Sequence, residues 1–305
     1  LTHRALEQLV NRAGQVILGK ERVLRLAITC LLARGHLLIE DLPGVGKTTL
    51  AHTLAKLLGL QYQRIQFTSD LLPADIIGVS VFDRDKNQFR FHTGPIFSQL
   101  VLADEINRAT PKAQSALLEA MEERQVTVEG ETRLLPRPFF VIATQNPAHQ
   151  VGTFPLPESQ LDRFLMRVQI GYPDRMAERG LLAGEDRREM VDSLAPVLEP
   201  AGLQHLQEEV QAVHVADPLL DYCQELLRFS RGTSRFQHGL SPRAGLALLR
   251  AARAWALLHG RGHVIPEDLQ AVIPSIVEHR LHGTADSTLE EGGQAAFLLD
   301  AVPIP

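Results

Sequence analysis

Residues 37–60 read LLIEDLPGVGKTTLAHTLAKLLGL: an apolar run, a glycine-rich turn and an amphipathic helical pattern in direct succession. This junction predicts a strand, a loop and a helix whose first turn aims backbone N–H groups at a phosphate. Gly44 and Gly46 permit the tight turn and a close approach of the backbone to a β-phosphate. Lys47 would neutralise β- and γ-phosphate charge, Thr48 would ligate Mg2+, and Thr49 would add a contact to the α-phosphate. Pro43 and Val45 complete the PGVGKTT loop. The full pattern, GxxxxGK followed by Ser or Thr, asks for glycine at position 41, where this chain carries Asp41. The shorter core, GxGK followed by Ser or Thr, arises by chance in roughly one chain per hundred of this length. Its setting between strand and helix makes phosphate binding the reading.

Downstream, LVLADEINRAT (100–110) is an apolar strand ending in two adjacent carboxylates. A nucleotide hydrolase needs two acids with different tasks, so Asp104 is expected on the Mg2+ shell and Glu105 on the attacking water. A further strand, FFVIATQNP (139–147), ends in Thr144, Gln145 and Asn146, polar groups suited to the same water or the γ-phosphate. An Asn-Pro turn is the plainer alternative there. Arg163, in LPESQLDRFL, and Arg243, in GLSPRAGLALL, carry forked guanidinium donors suited to phosphate. Spacing alone does not separate them from surface salt bridges.

The chain has two regimes. From about 15 to 172, short apolar runs alternate with helical patterns, which predicts an α/β domain with a parallel sheet. Its strands are expected at 36–40, 62–67, 100–103, 139–143 and 167–170, and its helices at 22–33, 47–58, 111–123 and 157–164. Residues 79–82 and 89–92 flank a turn-prone DRDKNQ, and 125–128 and 133–135 flank GET, so both read as antiparallel pairs. From 173 to 305 the pattern is helical, with stretches at 176–190, 204–213, 218–229, 242–259 and 266–279. Residues 282–305 are less periodic and read as either a docked strap or a frayed tail.

Composition narrows the classes. Among 305 residues, 45% are hydrophobic and 22% charged, which excludes a disordered chain. No run approaches the ~18–20 apolar residues of a membrane span, and LTHRALEQLV lacks a secretory pattern. With 31 basic against 36 acidic residues the net charge is −5, which argues against a dedicated nucleic-acid binder. Cys30 and Cys223 sit in apolar helical patterns and read as buried thiols of a reducing, cytoplasmic compartment.

Taken together, GHLLIEDLPGVGKTTLA, FHTGPIFSQLVLADEINRATPKAQSALLEAMEERQVTVEG, FFVIATQNP, LPESQLDRF and LSPRAGLALLRAARAWALLHGR resemble the MoxR family of AAA+ ATPases. The resemblance spans about 15–282 in the family's order. It implies a P-loop αβα core over 1–172 followed by a small all-helical lid over 173–305. It also implies the helix-2-insert branch, with the insert hairpin near 79–92 and the presensor hairpin near 125–135, both facing a ring's pore. Phe82, Phe89 and Phe91 would then meet a client or lie buried. By the same resemblance Lys47 and Thr48 belong to Walker A, Asp104 and Glu105 to Walker B, Asn146 to sensor 1, Arg163 to the arginine finger and Arg243 to sensor 2. Val16, Ile17 and Gly19 fall in the stretch near adenine. A finger that reaches a neighbouring subunit can raise phosphoryl transfer ~10³–10⁵-fold, so a lone subunit should turn over ATP poorly.

The function implied is ATP-driven remodelling of a client protein by a homohexameric ring, with ATP/ADP and Mg2+ as cofactors and a von Willebrand factor A domain protein as partner. The ATPase subunit of a metal chelatase shares this branch, but INRATPKAQSALLEAMEERQVTV is closer to MoxR. A nucleic-acid motor predicts a basic presensor hairpin, whereas QVTVEGETRLL carries Glu129 and Glu131 against Arg133. A non-hydrolysing scaffold predicts the loss of Glu105, Asn146 or Arg163, and all three are present.

Overall fold

A computed structural model describes residues 2–146, 152–184, 186–284 and 292–304. In chain order it opens with α1 (Thr2–Val16), α2 (Glu21–Leu32), β1 (Leu37–Glu40), α3 (Lys47–Leu57), β2 (Tyr62–Gln66) and α4 (Pro73–Ile77). The hairpin β3 (Gly78–Asp83) and β4 (Gln88–Thr93) follows, then β5 (Leu100–Asp104) and α5 (Pro111–Glu123). A second hairpin, β6 (Gln125–Val128) and β7 (Glu131–Leu134), precedes β8 (Phe140–Gln145), α6 (Glu158–Leu161) and β9 (Met166–Val168). The remaining elements are helices: α7 (Arg175–Ala183), α8 (Arg187–Asp192), α9 (Pro200–Ala212), α10 (Asp217–Gly232), α11 (Pro242–Leu258), α12 (Pro266–Val277) and α13 (Gln294–Ala301).

The main sheet is five-stranded in the order β2-β5-β8-β1-β9, with every pairing parallel. Both faces are covered, which explains why its strands are apolar without interruption. Alternation along each strand divides the core in two. Leu37, Ile39, Leu100, Leu102 and Ile142 face one apolar cluster with α1, α2, α3 and the lid helices. Leu38, Val101, Ala103, Val141 and Ala143 face the other, with Leu117 and Leu118 of α5. The first cluster runs continuously from Leu24 and Ile28 of α2 to Leu248 and Ala251 of α11, so the helical region packs on the back of the ATPase core.

Both anticipated hairpins are present. The β3–β4 hairpin leaves the core at Gly78, where φ is +99° and a Cβ would lie 2.3 Å from the His92 carbonyl. Three elements differ from expectation. The helix expected over 157–164 stops at Leu161: the N–H groups of Arg163 and Phe164 bond the Gln160 and Leu161 carbonyls in tight turns, and Arg280 donates to the carbonyls of Asp162 and Phe164 just beyond. The helix expected over 176–190 is broken between α7 and α8. There Arg187 donates to the Gly180 carbonyl and Asp186 caps the second piece. Helix α1 went unassigned, although its Leu6, Leu9, Val10 and Ala13 form a buried stripe. In the C-terminal stretch, α13 docks with Leu298 fully buried and Phe297 set between Phe229 and Phe236. Residues 285–291 of that stretch lie outside the described residues. Both cysteines are buried free thiols, and burial raises the Cys223 thiol to about 11.

Candidate active site

The phosphate loop joins β1 to α3 at the carboxyl end of the sheet, where open α/β sheets bind ligands. Gly44 and Gly46 have φ of +85° and +95°, and a Cβ at either would meet nothing within 4 Å. The loop therefore turns tightly and leaves open space at its glycines. Asp41 explains its own departure from the glycine pattern. Its Oδ1 accepts from Leu42 N at 2.8 Å, and its Oδ2 accepts from Ile170 N and Gly171 N, both at 2.6 Å. This carboxylate pins the loop to the chain that leaves β9.

Lys47 is buried and donates to the Asp41 carbonyl at 2.6 Å and to Asn146 Oδ1 at 3.1 Å. Burial lowers its pKa, opposed by the charges of Asp41, Asp104 and Glu105. At the end of β5 the two adjacent acids take different partners. Asp104 Oδ1 accepts from Thr144 Oγ1 at 2.6 Å, while Oδ2 pairs with Arg64 at 2.6 Å. Glu105 takes a left-handed conformation, φ +56°, immediately after the strand. Its backbone N donates to Thr144 Oγ1, and its carboxylate receives Asn146 Nδ2 at 3.1 Å, Arg108 at 2.9 Å and Gln66 at 3.1 Å. Lys47, Asn146 and Glu105 thus form one connected polar chain.

A cavity of about 430 Å³ adjoins the loop, within the ~300–1,000 Å³ usual for ligand sites. Val16, Ile17, Gly44, Val45, Gly46 and Thr49 line it, together with Tyr172 and, from α7, Leu181 and Leu182. Pro43, Lys47 and Thr48 are outside its lining. So is Gly19, whose added Cβ would sit 3.0 Å from the Ala177 Cβ. Its role is the turn between α1 and α2 at φ +68°. Among the described residues no group of three or more His, Cys, Asp or Glu side chains could hold a metal. Mg2+ keeps waters and shares phosphate oxygens, so few protein donors are asked for; Thr48 at the start of α3 and Asp104 at the end of β5 have the oxygen chemistry it takes.

Arg163 and Arg243 lie elsewhere. They line a second cavity with Gly35 and His36, which precede β1, and Leu165, which precedes β9. That is the amino end of the same strands whose carboxyl ends carry the phosphate loop, so neither guanidinium reaches its own subunit's loop. There they share Glu122: Arg243 donates to Oε1 at 2.6 Å and Arg163 contacts Oε2 at 3.1 Å.

Comparison with known proteins agrees with this geometry. Residues 36–166 match the model of the ATPase family associated with various cellular activities, and 228–297 match the AAA lid domain. Chaperone MoxR1 of Mycobacterium tuberculosis is 39% identical over 94% of this chain and 78% of its own length. The chain belongs to the MoxR family of AAA+ ATPases. The uncharacterized protein YeaC of Bacillus subtilis is 47% identical, over 99% of this chain and 96% of its own. A solved structure from Cytophaga hutchinsonii superposes with a TM-score of 0.89 at 33% identity, covering 100% of this chain and 96% of that one.

In this MoxR-family ATPase several site neighbours carried no local signal in the sequence. Arg64, Gln66 and Arg108 approach the acid pair from β2 and the turn after β5, and Leu181 and Leu182 reach the cavity from the lid. Glu122 is one acid among several in EAMEER. Only the fold sets it between two arginines.

Proposed function

We propose that the chain hydrolyses Mg-ATP at the junction between subunits of a homohexameric ring and uses the cycle to remodel a client protein. The observation that carries this reading is the separation of Arg163 and Arg243 from their own phosphate loop, at opposite ends of the same strands. A head-to-tail ring brings one subunit's arginine end against the next subunit's loop end. Each site then draws Lys47, Thr48, Asp104, Glu105 and Asn146 from one subunit and Arg163 and Arg243 from its neighbour.

In that site Lys47 neutralises β- and γ-phosphate charge, and Glu105 accepts the proton of the attacking water. Asn146, bonded to both, reports the γ-phosphate to the acid. Thr48 and Asp104 hold the Mg2+, which supplies charge neutralisation across the phosphates. The neighbour's arginines stabilise charge that develops in the transition state. Val16, Ile17 and the lid residues enclose the adenosine.

Two features support a protein client. MoxR1 is named a chaperone. The β3–β4 hairpin exposes Phe82 and Phe89, 45% and 71% accessible and stacked edge to face, and Arg133 of the second hairpin lies 4.1 Å over the Phe91 ring. A linked pair of hairpins with an apolar tip suits contact with extended polypeptide in a pore. A von Willebrand factor A domain partner and a cytoplasmic location complete the reading; no described helix is long and apolar enough to cross a membrane.

Specific ATPase activity measured against protein concentration, with Mg2+ and with the assembly state followed in parallel, tests the proposal. Activity per subunit should rise as rings form. Full activity from a verified monomer would overturn it.

A further inference from the structure

The cavity that holds Arg163 and Arg243 is crowded with like charge. Arg34, Arg124, Arg250 and Arg280 line it too, against two carboxylates, Glu122 and Asp162. Asp162 is committed to the buried Arg280, which donates Nε to Oδ1 at 2.6 Å, and lies 3.9 Å from Arg243. Glu122 is therefore the one acid of this cavity in close contact with both Arg163 and Arg243. Burial, and after it the charges of Arg34 and Arg137, depress Arg124; burial, and after it the charge of Arg124, depress Arg250.

Helix stability does not account for the contact. Glu122 lies in the last turn of α5, where the macrodipole disfavours a carboxylate. Arg243 lies in the first turn of α11, where it disfavours a cation. Each partner sits against its own helix dipole, and the short contact between them offsets that cost. An ordinary exposed ion pair contributes little, but this one joins three separate elements. Glu122 comes from the helix behind the acid pair, Arg163 from the turn after α6, and Arg243 from the lid.

We infer that Glu122 is a positioning residue: its two carboxylate oxygens hold Arg163 and Arg243 side by side, so that both guanidiniums meet the γ-phosphate of a neighbouring subunit together. The inference rests on the inter-subunit site proposed above. Glu122 acts on turnover through these arginines and touches no nucleotide bound to its own subunit. Removing its charge leaves two mutually repelling arginines among four more, and small misplacements of catalytic groups can cost about 100-fold.

The test uses Glu122→Gln, which keeps shape and loses charge, and Glu122→Asp, which keeps charge on a shorter stem. For E122Q, kcat should fall about 10- to 100-fold while KM and directly measured ATP affinity stay near wild type, the signature of an interaction made in the transition state. E122D should retain more activity than E122Q. Mixing E122Q with Glu105→Gln subunits should restore turnover, because E105Q supplies an intact arginine face to a neighbour whose own acid is intact. Random mixing makes about one junction in four productive. Arg163→Ala mixed with E105Q is the control. If R163A is rescued but E122Q is not, or if E122Q turns over as fast as or faster than wild type, Glu122 does not position the arginines. If R163A itself is not rescued, the inter-subunit site fails and this inference falls with it. Equal loss in E122D and E122Q together with weakened ATP binding would make the residue structural and overturn the inference.

Discussion

Asn146 donates through Nδ2 to Glu105 Oε1 at 3.1 Å while its Oδ1 accepts from Lys47 Nζ at the same distance. One amide at the end of β8 therefore bridges the phosphate-loop lysine and the acid at the end of β5. The parallel register that sets Ala103 opposite Ala143 brings these strand ends together.

Glu105→Gln should bind ATP normally and lose turnover by about 10²–10⁴-fold, the usual worth of a general base. The amide preserves the contacts to Asn146 and Arg108 in shape but cannot take the proton of water. Calorimetric ATP binding beside steady-state hydrolysis checks this. Near-wild-type turnover would remove Glu105 from the mechanism.

Arg163→Ala and Arg243→Ala should each leave the ATP affinity of an isolated subunit within about twofold while turnover of the assembled protein falls, by ~10³-fold or more for Arg163. A tenfold loss of affinity in a monomeric R243A variant would mean that Arg243 acts within its own subunit.

Asp41→Gly restores the glycine of the phosphate-loop pattern, yet it should harm the protein. Three backbone N–H groups, of Leu42, Ile170 and Gly171, lose a charged acceptor at a site only 9% exposed. The expected loss is about 2–4 kcal/mol, read from urea unfolding. Unchanged or increased stability in D41G would show that the carboxylate does not anchor the loop.

Acid should weaken the fold through His36. The ring is buried, with Nδ1 accepting from Val141 N and Nε2 facing the Met121 carbonyl, and burial pushes its pKa down to about 4. An unfolded histidine titrates near 6.5. Between those values the unfolded chain binds the extra proton, so stability rises with pH. The contribution is complete above about pH 6.5, and roughly 3 kcal/mol is lost as pH falls through 4. Unfolding free energies at pH 7.5 and 5.0 should show this slope, and His36→Asn should reduce it. Equal slopes in the two proteins would mean that His36 is not the group responsible.

The local pieces of the site were legible because their chemistry is sequential. The strand, PGVGKTT and helix succeed one another in 37–60, and Asp104 and Glu105 are neighbours, so periodicity and residue type were enough to anticipate both. The five core strands were legible because burial on both faces leaves continuous apolar runs. What stayed hidden depended on contacts distant in the chain. The helix after Pro157 gives way to a turn whose Asp162 and Phe164 carbonyls are bound by Arg280, more than a hundred residues away. Gly19 takes φ +68° with Ala177 of α7 packed close to it, a long-range contact that no local pattern announced.

The sequence by itself therefore determined the strand, loop and helix over 37–60, the placing of two adjacent acids at a strand end, and an α/β core followed by helices. Each follows from residue type and spacing within a few turns of chain. The tertiary structure alone decided where the arginines lie and what Asp41 and Glu122 touch. A parallel sheet has two unlike ends, and the folding of distant segments onto one end or the other sets which charges meet. That sorting lodged Asp41 against Ile170 and Gly171 at the carboxyl end. It gathered Arg163, Arg243 and Glu122 at the amino end, turned away from their own subunit's phosphate loop.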